Sequence, residues 1–345
     1  MQSEISPTSI TILPTYKCNA ACEQCCFQSS PRLKQRLAAD VILDRIHEAA
    51  QEFKTLRQVI FSGGEALLLK DDLHAALRLS RDAGLATRLV SNGFWGKRES
   101  TAAVFAEELR SSGLSELNIS TGLDHQRYVP ERSVIQAAKA AVSVGIPTLI
   151  TVEVDSVESN RLESLLADEE IEQMRSGGKL RVISNSWMPY EDGEAARHAQ
   201  NSKTQLEKGC PQIFGNLTIR PDDHLSACCG LTLEKIPEMN LGRNTGSNMR
   251  AMYEAQLDDL MKVWLHLDGP YKILQKVLPD SGRERLEGVV HICQACTILH
   301  RDAEVASRAK QMAQLWIEEI VSRFKIKVAT DKRVNAIQKE RVNEA

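Results

Sequence analysis

The stretch Tyr16-Lys17-Cys18-Asn19-Ala20-Ala21-Cys22-Glu23-Gln24-Cys25 sets three cysteines at the spacing C-x3-C-x2-C. Thiolates are soft donors that suit iron–sulfur clusters and zinc. Three of them leave one iron of a four-iron cluster without a protein ligand, and an open iron is a place for chemistry. About forty residues later, Val59-Ile60-Phe61-Ser62 is a short apolar run ending in Gly63-Gly64-Glu65. It reads as a buried strand followed by a tight turn. Two glycines let the backbone approach a ligand closely, because no Cβ intervenes. Zinc is the competing reading for the cysteines, although zinc sites usually show paired C-x2-C knuckles or Cys/His pairs. Taken alone, the Gly-Gly pair is ordinary turn chemistry. Cys26 reads as a small buried hydrophobe.

Outward from this pair of motifs the chain alternates strand and helix. Ser9 to Leu13 alternates as a strand and runs into the cysteine loop. Helical spacing covers 39–53, 71–83, 99–111, 131–144 and 159–174; strands are expected at 87–91, 115–120, 147–154 and 179–184. Six β–α units in a row predict a parallel sheet curled by right-handed crossovers. Ligand-binding residues then belong at the C-terminal ends of the strands. The cysteine loop, Gly63-Gly64-Glu65, Ser91-Asn92 and Ser120 all fall there.

The two motifs resemble the CxxxCxxC and GGE signatures of the radical S-adenosylmethionine (SAM) superfamily. The resemblance implies an α/β fold with a partial (β/α)6 TIM-type barrel over residues 8–190, after a flexible 1–7. It implies that Cys18, Cys22 and Cys25 hold a [4Fe–4S] cluster whose fourth iron is chelated by SAM. Reductive cleavage of SAM then gives methionine and a 5′-deoxyadenosyl radical that abstracts hydrogen from a substrate. Gly63, Gly64 and Glu65 would bind the methionine amino group. Ser91 and Asn92 would contact the ribose, and Ser120 the ribose or the methionine carboxylate. Gln24 departs from the family, which usually has an aromatic residue before the third cysteine; Phe27 is a candidate cover for the cluster instead. An electron donor such as flavodoxin or ferredoxin is also implied.

Past residue 185 the pattern changes. Leu217 to Cys228 reads as a β-hairpin turning at Pro221-Asp222-Asp223, which carries Cys228 back towards Cys210. Cys293-Gln294-Ala295-Cys296 is a C-x2-C knuckle far downstream. Four such cysteines can enclose one cluster completely. The arrangement resembles the Twitch domain, the shortened form of the SPASM domain. It implies a small α+β auxiliary-cluster domain over 191–300, ahead of a C-terminal helix and charged tail over 301–345. The implied ligands of a second [4Fe–4S] cluster are Cys210, Cys228, Cys293 and Cys296. SPASM domains usually have glycine where this chain has Asp223. Either Cys228 or Cys229 could be the ligand; spacing from the turn favours Cys228, and strand alternation puts the two on opposite faces. Cys229 is then a buried apolar residue, a backup ligand or a hydrogen-atom donor. Zinc competes at this second site too. Apolar stripes predict helices over 247–265 and 303–325, and a solvated end over 329–345.

Bulk properties narrow the classes further. The chain has 345 residues, a net charge of −3 and nine cysteines. That charge gives no general attraction to nucleic acid. No long apolar run and no charged-then-apolar leader is visible, so neither a membrane span nor a secretory signal is expected. A cytoplasmic protein is expected, and cysteines in a reducing compartment point to metal or redox work rather than disulfides.

The substrate is less legible. By resemblance, enzymes with Twitch or SPASM domains modify ribosomally made peptides or protein side chains, or oxidise alcohols on sugars and aminocyclitols. Modification of a ribosomally made peptide by cross-linking, oxidation or epimerisation is the leading reading; an auxiliary cluster that takes an electron from a substrate radical fits the oxidative outcomes, and epimerisation would instead need a hydrogen donor such as Cys229 or Cys26. Dehydrogenation of a small sugar or aminocyclitol alcohol, and a non-catalytic zinc-binding protein, are the alternatives. The first barrel strand begins by about residue 8, so an N-terminal peptide-recognition domain is not expected and a separate protein would recognise a leader. Asp124, His125, Arg127 and Tyr128 follow the fourth predicted strand as candidate substrate contacts, or as the cap of the next helix. The segment Trp187-Met188-Pro189-Tyr190-Glu191-Asp192 follows the sixth and could offer a general base. Cys229, Asp124, His125 and Tyr190 are the candidate catalytic residues.

Overall fold

Alternation of short β-branched runs with amphipathic helices produces a singly wound α/β half. In the computed structural model its elements run β1 Ser9–Ile12, α1 Ala39–Glu52, β2 Gln58–Phe61, α2 Asp71–Asp82, β3 Ala86–Ser91, α3 Glu99–Ser111, β4 Glu116–Gly122, α4 Leu123–Gln126, α5 Glu131–Ser143, β5 Thr148–Val154, α6 Arg161–Leu166, α7 Glu169–Ser176 and β6 Leu180–Ser186. The structure describes residues 5–154, 159–190, 203–246 and 248–343. Most of the 1–7 segment, and Glu191 and Asp192, lie outside the described residues.

The six strands are parallel and lie in sequence order, β6-β5-β4-β3-β2-β1. This is the partial TIM-type barrel. One face of the sheet is apolar: Ile10, Ile12, Val59, Phe61, Leu89, Leu117, Ile119 and Ile150 join one core with Ile42 and Ile46 of α1 and Ala137 and Ala141 of α5. Each isoleucine or leucine buried there contributes about 2 kcal/mol of transfer free energy. The alternate residues, including Ser120, Thr151, Glu153 and Asn185, face a cavity on the other side.

The helix expected over 159–174 is two helices. Asp168 caps the second, accepting from the backbone N–H of Glu170 at 3.0 Å and of Ile171 at 3.2 Å.

The second half contains α8 Lys203–Leu206, β7 Asn216–Ile219, β8 His224–Ser226, β9 Asn240–Arg243, α9 Met249–Ala255, α10 Leu260–Val277, α11 Ile292–Arg301, α12 Ala303–Leu315 and α13 Ile317–Asn343. The hairpin is not set apart from the barrel. β7 pairs in parallel with β1, so one nine-stranded sheet runs through both halves. Asn216 fixes the junction: its amide donates to Thr11 Oγ1 at 3.0 Å and to Ser9 Oγ at 2.9 Å. Asp223 holds a positive φ of 61°, the conformation for which glycine is the easy choice. Its carboxylate is gripped at both oxygens by Arg45 of α1, at 2.8 and 2.7 Å.

Three further expectations change. The 247–265 helix breaks at Asp259, which caps α10 through Met261 and Lys262. The 303–325 helix breaks at Trp316, after which α13 runs on to Asn343. The Cys293–Cys296 pair sits on the first turns of α11, where His291 Nδ1 accepts from the Cys293 N–H at 3.1 Å, and not in a knuckle loop. Among the described residues, no helix is long and apolar enough to cross a membrane.

Candidate active site

The C-terminal ends of the strands open on a cavity of about 260 Å³. Its walls include Cys18, Cys22 and Cys25, Ser62, Gly63 and Gly64, Ser91 and Asn92, Ser120, Asp124 and His125, Tyr190 and Cys229. The two leading sequence motifs therefore meet at one place.

Backbone pairing locks the cysteine loop to the glycine turn. The N–H of Gly64 donates to Thr15 O at 2.8 Å, and that of Glu65 to Lys17 O at 2.9 Å. A Cβ on Gly64 would stand 2.2 Å from Lys17 O, and one on Gly63 2.7 Å from Thr15 O. Only glycines permit this approach, and Gly63 also needs its φ of +108°. The Glu65 carboxylate faces inward. It accepts from Asn92 N at 3.0 Å, Ser91 Oγ at 3.2 Å and Leu67 N at 3.3 Å. Complete burial pushes its pKa up to about 7 despite these bonds. Glu65 thus ties the glycine turn to the Ser91-Asn92 turn, and its side chain is not among the described cavity walls.

The donor sets fit iron–sulfur chemistry. All nine cysteines are free of disulfides. Ala20 N–H and Ser29 N–H each approach a sulfur, of Cys18 and of Cys25, at 3.4 Å. Such N–H groups stabilise negative charge on sulfur. A hydrogen bond from Cys26, helped by backbone N–H groups of Ser29 and Phe27, overcomes burial and lowers Cys25 to about 6. Burial pushes Cys18 up to about 11 and Cys22 to about 12. Among the described residues, no three His, Cys, Asp or Glu side chains gather tightly enough for a single metal ion.

The second cysteine set lies mostly in the C-terminal apolar core, where Cys228 is buried and Cys210 and Cys296 are half-buried. A Cβ on Gly230 would lie 3.2 Å from Cys293 Sγ and 3.7 Å from Cys228 Sγ, so both thiols converge on that glycine. Burial raises the pKa of all four thiols; Cys293 reaches about 12. Cys229 stays within electrostatic reach of Cys210 and Cys293 and also faces a second space. It lines the cavity, and its thiol donates to Gln212 Oε1 at 2.9 Å.

Of the substrate-contact candidates, Asp124 is buried and accepts from Trp187 Nε1 at 3.4 Å. His125 Nδ1 stands 3.8 Å from Glu153 Oε2, and burial lowers its pKa against the opposing pull of Asp124. Tyr190 lines the cavity, and its N–H donates to Gln24 Oε1 at 3.0 Å. The residue that breaks the aromatic pattern is therefore a brace between the cysteine loop and Tyr190. Arg127 and Tyr128 are not among the walls; Arg127 pairs with Glu23 at 2.7 Å on the exposed side. Phe27 is a wall, as expected. Cys26 is more than a filler: it hydrogen-bonds Cys25 and packs with Tyr190, Val290 and Cys293. Sequence reading missed Glu153, Asn185 and Gln212. Polar residues at alternate positions near the end of a strand were the available signal for the first two; nothing local marked Gln212.

Residues 12–155 match the model of the "Radical SAM superfamily". A Bacillus subtilis (strain 168) protein named "Putative peptide biosynthesis protein YydG" is 28% identical over 43% of this chain and 47% of its own. A "Probable GTP 3',8-cyclase" of Archaeoglobus fulgidus is 31% identical over 46% of this chain and 53% of its own. The chain spans about half the length of these curated relatives. In fold it is similar to "Native anSMEcpe with bound AdoMet and Cp18Cys peptide", with a TM-score of 0.55 at 12% identity over 92% of this chain and 99% of that one. The residues that match the radical SAM superfamily are those that hold the three-cysteine loop and the glycine turn at one cavity, and it is over 12–155 that the chain is similar to that superfamily.

Proposed function

We propose that this chain is a radical SAM enzyme that acts on a ribosomally made peptide, with epimerisation of a residue as the outcome the geometry favours. One observation carries the reading: Cys229 opens into the cavity of the three-cysteine loop while its neighbour Cys228 turns into the second cysteine set. The relative named for peptide biosynthesis and the fold neighbour holding AdoMet with a peptide support the substrate class.

Cys18, Cys22 and Cys25 would hold the SAM-binding [4Fe–4S] cluster, with Gly63, Gly64, Ser91, Asn92 and Ser120 around SAM. Cys210, Cys228, Cys293 and Cys296 would hold an auxiliary cluster in a Twitch/SPASM-like unit. With these groups bound, the site supplies a 5′-deoxyadenosyl radical that takes one hydrogen atom from the substrate. The chain does the rest. Asp124, His125 and Tyr190 border the substrate space, and the described walls include no lysine or arginine. The Cys229 S–H, oriented by Gln212, returns one hydrogen atom to the carbon radical. Cys229 is then short of one electron and one proton, restored by a reduced donor such as flavodoxin or ferredoxin and by solvent. A separate protein would recognise any leader.

The test is anaerobic reconstitution with SAM and dithionite, then coexpression with a short peptide encoded beside the gene. The expected results are 5′-deoxyadenosine and, in D2O, a peptide gaining one mass unit. A loss of two units would make the outcome oxidative. Colourless protein with stoichiometric zinc would remove the radical reading. Replacing Cys18, Cys22 and Cys25 together with alanine should abolish 5′-deoxyadenosine.

A further inference from the structure

We propose that the substrate peptide docks as an added strand on the outer edge of β6, which among the described residues pairs only with β5, and that this pairing presents one of its side chains to the cavity. The proposal rests on the peptide reading above.

β6 ends the nine-stranded order, and among the described residues it pairs only with β5. Two bonds fix which of its groups are spoken for. Thr148 N donates to Lys179 O at 3.1 Å, and Trp187 N to Val154 O at 3.0 Å. In a parallel pair, alternate residues turn N–H and C=O to the same neighbour. Arg181, Ile183 and Asn185 therefore bond β5. Val182, Ser184 and Ser186 turn their N–H and C=O groups to the open side.

Edge strands are usually blunted by charge, proline or a bulge. This seven-residue edge has no proline, an unbroken register with β5, and Arg181 as its one charged side chain. It also leads straight to the chemistry, since Asn185 and Ser186 are walls of the cavity. Ile183 and Asn185 pair with Thr151 and Glu153, so they share the cavity-facing side of the sheet. A peptide strand alternates its side chains in the same way. The residue level with Asn185 would enter the cavity. The residue two positions away would lie over Ile183, which is 39% exposed and offers an apolar seat. Main-chain pairing gives affinity in such docking, and alternate side-chain seats give specificity.

The probe is the peptide that changes mass in the coexpression experiment, synthesised and added to the anaerobic holoenzyme while amide exchange is read residue by residue. Val182, Ser184 and Ser186 should slow at least tenfold, and Arg181, Ile183 and Asn185 less than twofold. Equal slowing of both sets, or none, overturns the proposal. So does protection of the three outward amides before peptide is added, because the edge would already be occupied by this chain or a second copy. A Ser184→Pro variant removes one outward N–H and spares the β5 ladder. It should raise the peptide Kd at least tenfold while peptide-free 5′-deoxyadenosine formation is kept; an unchanged Kd overturns the docking. Where the variant does not fold, the alternating exchange pattern decides alone. A peptide modified equally well with and without the edge leaves the peptide reading standing and removes only the docking. A failure to find any modified peptide removes both.

Discussion

The two cysteine sets are built in opposite ways. Cys18, Cys22 and Cys25 sit on one loop, braced by backbone bonds to the glycine turn of the next strand. Cys210, Cys228, Cys293 and Cys296 come from separate segments of a region dominated by helices, and meet through tertiary packing. The first is written in spacing, and the second depends on β7 joining β1 and on α11 packing beside the hairpin. The difference teaches where a single side chain changes role. Cys228 and Cys229 are neighbours in sequence, yet Cys228 lies in the C-terminal core and Cys229 lines the cavity of the local set.

Breaking that pair is the largest test of the contrast. Cys228→Ser should lower iron from about eight to about four per chain, read by iron analysis after anaerobic reconstitution. Cys229→Ser should keep the iron and the formation of 5′-deoxyadenosine, while deuterium uptake into the peptide from D2O is lost. If both variants lose iron equally, Cys229 is a ligand and the donor role fails.

Next in size is the link between the halves. Arg45 of α1 reaches Asp223 and Asn244 O in the hairpin region, and also pairs with Glu48 at 3.0 Å; all three charged side chains are largely buried. Removing Arg45 leaves the Asp223 carboxylate without its cation, while Glu48 keeps hydrogen bonds from Asn244 Nδ2 and Met249 N–H, a loss of about 3–5 kcal/mol. Arg45→Ala should therefore lower stability by about that amount in urea unfolding. It should also loosen the hairpin turn, because Asp223 keeps its positive φ with the help of that grip. A loss below about 1 kcal/mol would mean that the halves hold together without it.

How much of this was legible follows the same division. In the barrel half, each strand and helix is a contiguous stretch with its own period, so elements from α1 to β6 fall within a few residues of expectation. The exceptions are the short α4 and the break at Asp168, and the counterpart of that break in the second half is Asp259. In both, the apolar stripe continues across the break, and the aspartate reads as a polar-face residue until its N-capping bonds are seen. The local cysteine loop and glycine turn were legible because ligand spacing within a loop is a sequence property. The inward turn of Glu65, the brace by Gln24 and the contact from Gln212 to Cys229 were not. Each depends on a partner between 17 and 166 residues away in the chain.

The smallest effect tests the C-terminal core against acid. Asp268, nearly buried on α10, is pushed up by desolvation. Hydrogen bonds from Arg323, Lys276 and Trp264 Nε1 outweigh that push and hold its pKa far below the usual carboxylate range. A depressed folded pKa means the unfolded chain binds the proton more readily. The stabilisation is thus complete above the ordinary aspartate pKa, near 4, and drains away as pH falls below it. Asp268→Asn should lower the melting temperature at pH 7 and make the difference from the parent chain shrink steadily from about pH 4 downward. The Glu65 carboxyl in the barrel, whose pKa is raised to about 7 by burial, works in the other direction: its ionisation weakens the fold as pH climbs from about 4.5 to about 7. Acid should therefore loosen the contacts around α10 while it relieves the strand ends of the barrel. Urea melts at pH 3 and pH 7, followed separately by exchange at α10 and at β3, would show opposite shifts; parallel shifts would mean that the two halves unfold as one unit.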